Sequence, residues 1–388
     1  MPRTGEMPAV TRPDLPIDHN LVERNKQLRR DLWDYRPVDH IPFFPWLVLG
    51  GGTTVQEKLQ DPALQFEANV AGVKKALELI PYDYIPSVFV TPGYMTIATI
   101  FGMEIYWGHD PDQPPGVAGH LITDLEQVYR LRRPTMQDGI MPDNLRRLQY
   151  NLEHLPPDVY VTGIDSGGPL NTLKDLLDTN LLYLGFYDNP AAIHHLLNLV
   201  TEVQLEIYYT LVRVVGDINR MTCIDFDPDW APEPYKGFVS EDVGSTIGPE
   251  LFREFSIPYN NRLFQPWGHG GLHNCGPNPC KELYLAHEPK IKYLNCSYRY
   301  SQAELPEFRQ LFAGWGIVKP MFDNGEAPEE MLAGFRHMRE TLAPDTLGIP
   351  ICIIDDTWSD SDITSFYWDM RKIGEEYAAA MNWVGAKS

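Results

Sequence analysis

The sequence predicts an α/β fold of one kind, a (β/α)8 TIM barrel with an N-terminal helical arm and an inserted elaboration after the second strand. Three observations lead there. Eight short apolar runs recur along the chain, separated by stretches of helical periodicity. This is the rhythm of parallel strands joined by right-handed helical crossovers. No strand runs into a Gly-x-Gly-x-x-Gly helix start, which removes the usual nucleotide-binding open sheet. Finally, the 388 residues suit one large unit, since barrels of this class often run to ~250 residues or more as a single domain. The chain divides into an arm and helix over 1–39 and one catalytic barrel over 40–388.

Residues 1–18 are Pro-rich and polar and read as an extended arm. Residues 20–34 set Leu21, Leu28 and Leu32 on one helical stripe. The first strand is 40–48, running into three glycines at 50–52. A helix over 61–79 carries Phe66, Val70, Val73 and Leu77 at helical spacing, and the second strand is 84–90. From 91 to 134 the pattern breaks into short β-like pieces and turns, the expected elaboration. A helix over 144–155 precedes strand three at 159–165, and helices follow to about 215. Strand four is expected at 220–226, with a loop over 227–248. Pro249 then opens a helix to 267, because the first turn tolerates a missing N–H. Strands five to eight fall at 270–276, 291–296, 317–322 and 349–356, with helices at 280–287, 305–312, 328–342 and 361–383.

The net charge of −21 argues against nucleic acid and against anionic membrane surfaces, both of which want basic patches. Five cysteines in a chain this long are no disulfide framework, and no signal peptide is visible in the first twenty residues. A reducing cytoplasm is therefore expected. No apolar run approaches the ~20 residues of a membrane helix. A homodimer is compatible with these totals.

The chemistry gathers at strand ends, where barrels build active sites. His273 and Cys275 are two positions apart on strand five, so both side chains leave the same face. An imidazole and a thiol presented together suit zinc. Cys352, near the end of strand eight, is the candidate third ligand. Three protein ligands with one open position make the catalytic rather than the structural zinc arrangement. Cys296, ending strand six, is a further candidate ligand. Cys223 and Cys280 read as packed thiols, and His269 and His287 as helix-end or surface histidines.

A His-x-Cys-Gly followed 77 positions later by a strand cysteine (352 − 275) resembles the zinc motif of cobalamin-dependent methyltransferases in the uroporphyrinogen decarboxylase-like superfamily. The likeness runs from about Trp33 to Trp383. It includes the entry to the first strand at 36–42 and the acidic loop and helix at 240–255. The resemblance implies a TIM barrel, a zinc site, and methyl transfer to or from a corrinoid cobalt. The decarboxylase branch instead holds a polycarboxylate with an arginine-bearing loop after strand one. Here Trp46-Leu47-Val48-Leu49 and the glycines that follow carry no cation, which argues against decarboxylation.

Within the resemblance, zinc would either make a thiolate from a thiol of the coenzyme M type or act as a Lewis acid on a methyl ether. Aromatic residues in the loops favour the ether: Trp46, Phe89, Tyr94, Tyr298 and Trp358 are candidates to line a pocket for a methoxylated aromatic ring. Glu241 and Asp242 are candidates to move a proton or touch substrate, and Asp356, just past Cys352, to orient a zinc ligand. The chain shows no cobalamin-binding module of its own, so the corrinoid is expected on a partner protein. The expected reaction is O-demethylation of a small methylated donor; thiol methylation and a metal-independent lyase are the alternatives.

Overall fold

Strands buried on both faces need apolar residues on both faces, and most of the runs singled out above meet that demand. The computed structural model of the chain describes residues 12–49, 52–90, 93 and 95–383. Its barrel strands are β1 (Phe44–Val48), β2 (Ser87–Val88), β3 (Tyr160–Val161), β4 (Gly237–Ser240), β5 (Gly270–His273), β6 (Tyr293–Ser297), β7 (Ile317–Phe322) and β8 (Ile351–Asp355). A curled parallel sheet runs β1-β8-β7-β6-β5-β4, and β2 pairs in parallel with β3. Helices alternate with the strands, as a TIM-barrel architecture requires. Between β2 and β3 the expected elaboration contains a short helix (Thr96–Ile100), an antiparallel pair (Ile105–Tyr106 with Gly116–Val117) and a 3-10 turn (Leu125–Arg130). No helix among the described residues is long and apolar enough to cross a membrane.

Strand four departs from expectation. It forms at Gly237–Ser240, within the stretch expected to be a loop, while the run at 220–226 is no regular strand. That run makes one parallel bridge, Met221 to Val161, and the Ile224 N–H donates to the Lys236 carbonyl at 2.9 Å. It is thus a wedge between β3 and β4. The cause is its alternate carboxylates. Asp225, Asp227 and Asp229 are all buried, and no regular strand could take them into apolar layers without partners. Each turns to one instead. Asp225 Oδ2 accepts from Ser166 Oγ at 2.5 Å and from the Tyr208 hydroxyl at 2.7 Å. Asp227 takes the ammonium of Lys319, 2.7 Å from Oδ2, and Asp229 Oδ1 takes the Arg29 guanidinium at 2.9 Å.

Gly163 makes room for this wedge. A Cβ there would strike the Ile224 carbonyl and lie 2.7 Å from the Asp225 nitrogen, both backbone atoms that cannot swing aside. Gly163→Ala is expected to lower stability by about 1–3 kcal/mol, read as a lower urea midpoint at unchanged slope.

The N-terminal helix (His19–Trp33) starts at Asp18, whose side chain accepts from the Asn20 and Leu21 N–H groups. Its buried face carries Val22, Asn25, Arg29, Leu32 and Trp33. Arg29 and Trp33 meet the barrel interior, where Lys319 Nζ lies 5.8 Å from the Trp33 ring and 5.0 Å from the Tyr293 ring. The arm's helix is therefore part of the barrel's floor.

Candidate metal centre

Register brings the site together. Ser240 on β4 pairs with His273 on β5, and His273 pairs with Asn295 on β6, so three strands end side by side at the mouth. Just past Ser240 the chain turns into a 3-10 helix at Asp242–Ser245, which aims Asp242 back over the strand ends. Its Oδ1 accepts the Cys275 N–H at 2.9 Å, and its Oδ2 accepts from the Asn171 amide at 3.1 Å. Cys275 is exposed at the rim, with its sulfur 3.1 Å from His273 Nε2. Asp242 Oδ1 is 3.5 Å from the same nitrogen. His273 itself is buried.

The ligand atoms of Asp242, His273 and Cys275 all lie within 4.8 Å of one another. Ligands bound to one tetrahedral zinc at ~2.0–2.3 Å stand ~3.3–3.8 Å apart, so this set of imidazole, thiol and carboxylate fits a zinc-sized ion and leaves a position open. Its protonation suits the role too. Burial would raise the Asp242 carboxyl, but the facing His273 and the Cys275 N–H outweigh it and hold the group below its ordinary value, ionised. Although Cys275 as a whole residue is exposed, desolvation of its thiol against the strand ends, and then the charge of Asp242, push that thiol above its ordinary value. A divalent cation reverses that balance by favouring thiolate.

A cavity of about 220 Å3 opens beside the cluster. Asp165, Ser166, Asn171, Phe226, Ser240 and His273 face it, with Lys174 and Asp175 at the rim. Asp165 was not singled out from the sequence, although a carboxylate ending strand three of a barrel was a signal. Burial, reinforced by the neighbouring Asp225, raises Asp165 well above the carboxylate range; burial also raises Asp225, against hydrogen bonds from Ser166 and Tyr208. A raised carboxyl keeps its proton in the folded chain after the unfolded chain has released it. Stability is therefore fully present at acid pH, below the ordinary carboxylate pKa of about 4, and falls as pH rises toward and through neutrality. Asp165→Asn is expected to flatten that fall by about 1 kcal/mol or more, measured by urea unfolding at a series of pH values.

The other sequence candidates do not join this group. Among the described residues, no group containing Cys352 or Cys296 brings three ligand atoms within 4.8 Å of one another. Cys352 is fully buried on β8, three strands around the sheet from β5, with Pro45 and Phe322 as its strand neighbours. Cys296 is buried beside Pro320 on β7, and its thiol is pushed up to about 12 by burial. Glu241 points to the helix layer rather than the mouth. Its Oε2 accepts from Ser256 and Asn260, each at 3.0 Å, and burial lifts its carboxyl to about 7. Asp356 is exposed and lines a separate hollow against the Pro62–Leu79 helix, with Leu64 and Glu67.

The expected aromatic pocket does not form around the cluster. Trp46 and Phe89 do stack, 4.7 Å apart and 4° from parallel, but they line a different, apolar cavity of about 330 Å3 that shares no residue with the first. Tyr298 packs 4.6 Å from Phe322 and its hydroxyl meets His337 at 2.9 Å, on the helix side of the strands. Trp358 packs edge-on to Phe366 at 5.1 Å. Tyr94 lies outside the described residues. Aromatic content predicts burial well but says nothing of which layer a ring joins.

No protein-family model matches the chain. Uroporphyrinogen decarboxylases of Xanthomonas campestris pv. campestris and Xanthomonas axonopodis pv. citri are each 22% identical to it, over 268 and 266 residues. The match covers 62% of this chain and 64% of theirs, so the chain spans less than two thirds of these curated relatives. Among solved structures, a methyltransferase from Methanosarcina mazei superposes with a TM-score of 0.66 at 17% identity, covering 89% of this chain and 98% of that one. That likeness establishes a shared fold.

Proposed function

We propose that this chain, which is 22% identical to uroporphyrinogen decarboxylases and shares the fold of a Methanosarcina mazei methyltransferase, belongs to the uroporphyrinogen decarboxylase-like superfamily and is a metal-dependent methyltransferase. It moves a methyl group between a small methylated compound and the cobalt of a corrinoid carried by a separate protein. The observation that carries the reading is the convergence of Asp242, His273 and Cys275 at the barrel mouth beside a polar cavity. Zinc is the proposed metal, because the donor set mixes a thiol, an imidazole and a carboxylate. Cys352 is proposed as an alternative third ligand that exchanges with Asp242 when metal binds, which keeps one position open. Register supports it: Ser297 pairs with Met321, and Met321 with Ile351, so Cys352 stands at nearly the level of Cys275 on the same rim.

Bound zinc would supply Lewis acidity to the atom that holds or receives the methyl group. The chain's own groups do the rest. Cys275 gives up its thiol proton, and Asp242 stays ionised. Ser240 and Asn171 offer hydrogen bonds to a polar leaving atom in the cavity. Asp165, kept protonated by burial, can return a proton to that atom. Among the described residues, Phe226 is the one Phe, Tyr or Trp lining this cavity, which supports a compact polar donor over a methoxylated ring. Among the described residues, Asp165, Asp175 and Asp242 line it with Lys174 as the one Lys or Arg, the wrong sign for a polycarboxylate porphyrinogen.

Elemental analysis is expected to find about one zinc per chain. Incubation with reduced corrinoid and a panel of methylated amines, ethers, methanol and thiols is expected to change the cobalt spectrum with at least one of them. Native protein free of metal and silent across the panel would overturn the proposal.

A further inference from the structure

We infer that Asn295 is a positioning residue for His273: it fixes the imidazole tautomer and so makes Nε2 the metal-facing nitrogen. The inference rests on the reading of Asp242, His273 and Cys275 as a metal site. Its geometry is independent of any metal. Strand pairing puts Asn295 directly beside His273, and Oδ1 lies 2.5 Å from Nδ1. An amide presents a donor end and an acceptor end of similar shape, so the question is which end faces the ring. Lys319 decides it. Asn295 Nδ2 donates to the Lys319 backbone carbonyl at 2.8 Å, and a carbonyl can only accept. Oδ1 is therefore left for the imidazole.

That oxygen also only accepts, so Nδ1 must carry the hydrogen. With Nδ1 so occupied, Nε2 is the nitrogen whose lone pair a metal ion would take. It faces the Cys275 sulfur at 3.1 Å and Asp242 Oδ1 at 3.5 Å. The relay is braced from behind, because the Lys319 ammonium is gripped by both oxygens of Asp227. Burial of His273 and Asn295 limits competition from water. Where a metal-binding histidine leans on a carboxylate, the partner adds charge and basicity. Here the partner is a neutral amide, so anionic charge reaches the ion only from its directly bound carboxylate and thiolate ligands.

Nitrogen NMR of the metal-free, histidine-labelled protein reads the tautomer directly and should show the His273 hydrogen on Nδ1. Asn295→Leu removes the acceptor; it should shift hydrogen toward Nε2 and weaken Co2+ binding by about 10–100-fold. Asn295→Asp keeps an acceptor facing the ring; it should retain the Nδ1 hydrogen and bind Co2+ better than the leucine variant. Hydrogen on Nε2 in the unaltered chain would overturn the inference, as would a folded leucine variant with unchanged tautomer and affinity. A chain that takes up no Co2+ yet carries its hydrogen on Nδ1 would sink the metal reading while upholding the tautomer assignment.

Discussion

Replacing Cys275 by alanine is expected to strip the chain of zinc and to cut methyl transfer about a thousandfold or more. A Lewis-acidic ion supplies several kcal/mol of charge stabilisation, and each 1.4 kcal/mol or so is tenfold in rate. The cysteine contributes the sulfur 3.1 Å from His273 Nε2 and the N–H that turns Asp242 toward the same point. The backbone N–H survives in Cys275→Ala, so the loss is that of one ligand and not of the turn. His273→Ala should match it. The contrast between Asp242→Asn and Cys352→Ala apportions the rest of the coordination. An Asp242→Asn chain keeps a neutral oxygen in place and should retain weakened metal. Cys352→Ala should lose affinity only if the β8 sulfur moves in when metal binds. Metal content by elemental analysis, with circular dichroism to confirm folding, reads all four. A fully zinc-loaded Cys275→Ala chain would remove the cluster from the mechanism.

Lys319→Ala is expected to destabilise the fold by about 3–5 kcal/mol, the usual cost of removing one partner from a buried ion pair. Lys319 is fully buried, and its ammonium lies 2.7 Å from Asp227 Oδ2 and 3.4 Å from Asp229 Oδ2. Asp229 is also held by Arg29, and the two cations outweigh burial to keep its carboxyl below its ordinary value. Asp227 leans on Lys319, and burial still raises it. Without the lysine, Asp227 is a carboxylate in a low-dielectric interior with no cation. Paired replacement tests the cause: Lys319→Met with Asp227→Leu should recover much of the loss, because neither charge then needs a partner. Urea unfolding of the single and double variants measures it. A double variant no more stable than the single would mean that the lysine acts through packing of its stem.

The same residues mark the limit of what the sequence discloses. Strands five to eight were legible because their runs are apolar on both faces and bounded by turn residues. Strand four was not. Met221, Cys223 and Ile224 look like a strand in isolation, and the carboxylates that bend the run find Lys319 and Arg29 only 92 and 200 positions away. No local pattern carries such pairings. In the site, His273 and Cys275 were legible from their spacing, which two-residue strand periodicity makes meaningful. Asp242 was picked out as an acid, but its approach to His273 and Cys275 depends on the Cys275 N–H and the Asn171 amide, neither of which local sequence reveals. Asn295 depends entirely on register. The aromatic residues misled because a ring lowers its free energy equally well beside a helix or in a substrate pocket.

Lys319 serves two masters. Its charged tip holds the Asp-rich wedge and, through Asp229 and Arg29, the N-terminal helix, while its peptide oxygen steadies the amide beside the histidine. Anyone shortening this protein to a bare barrel by trimming the leading helix would loosen more than the base. Arg29 would leave Asp229, the lysine would have a new claimant, and the disturbance would pass through Asn295 on the next strand to the imidazole on the one beyond. In this scaffold, thermal robustness and ligand aim are not separately adjustable quantities.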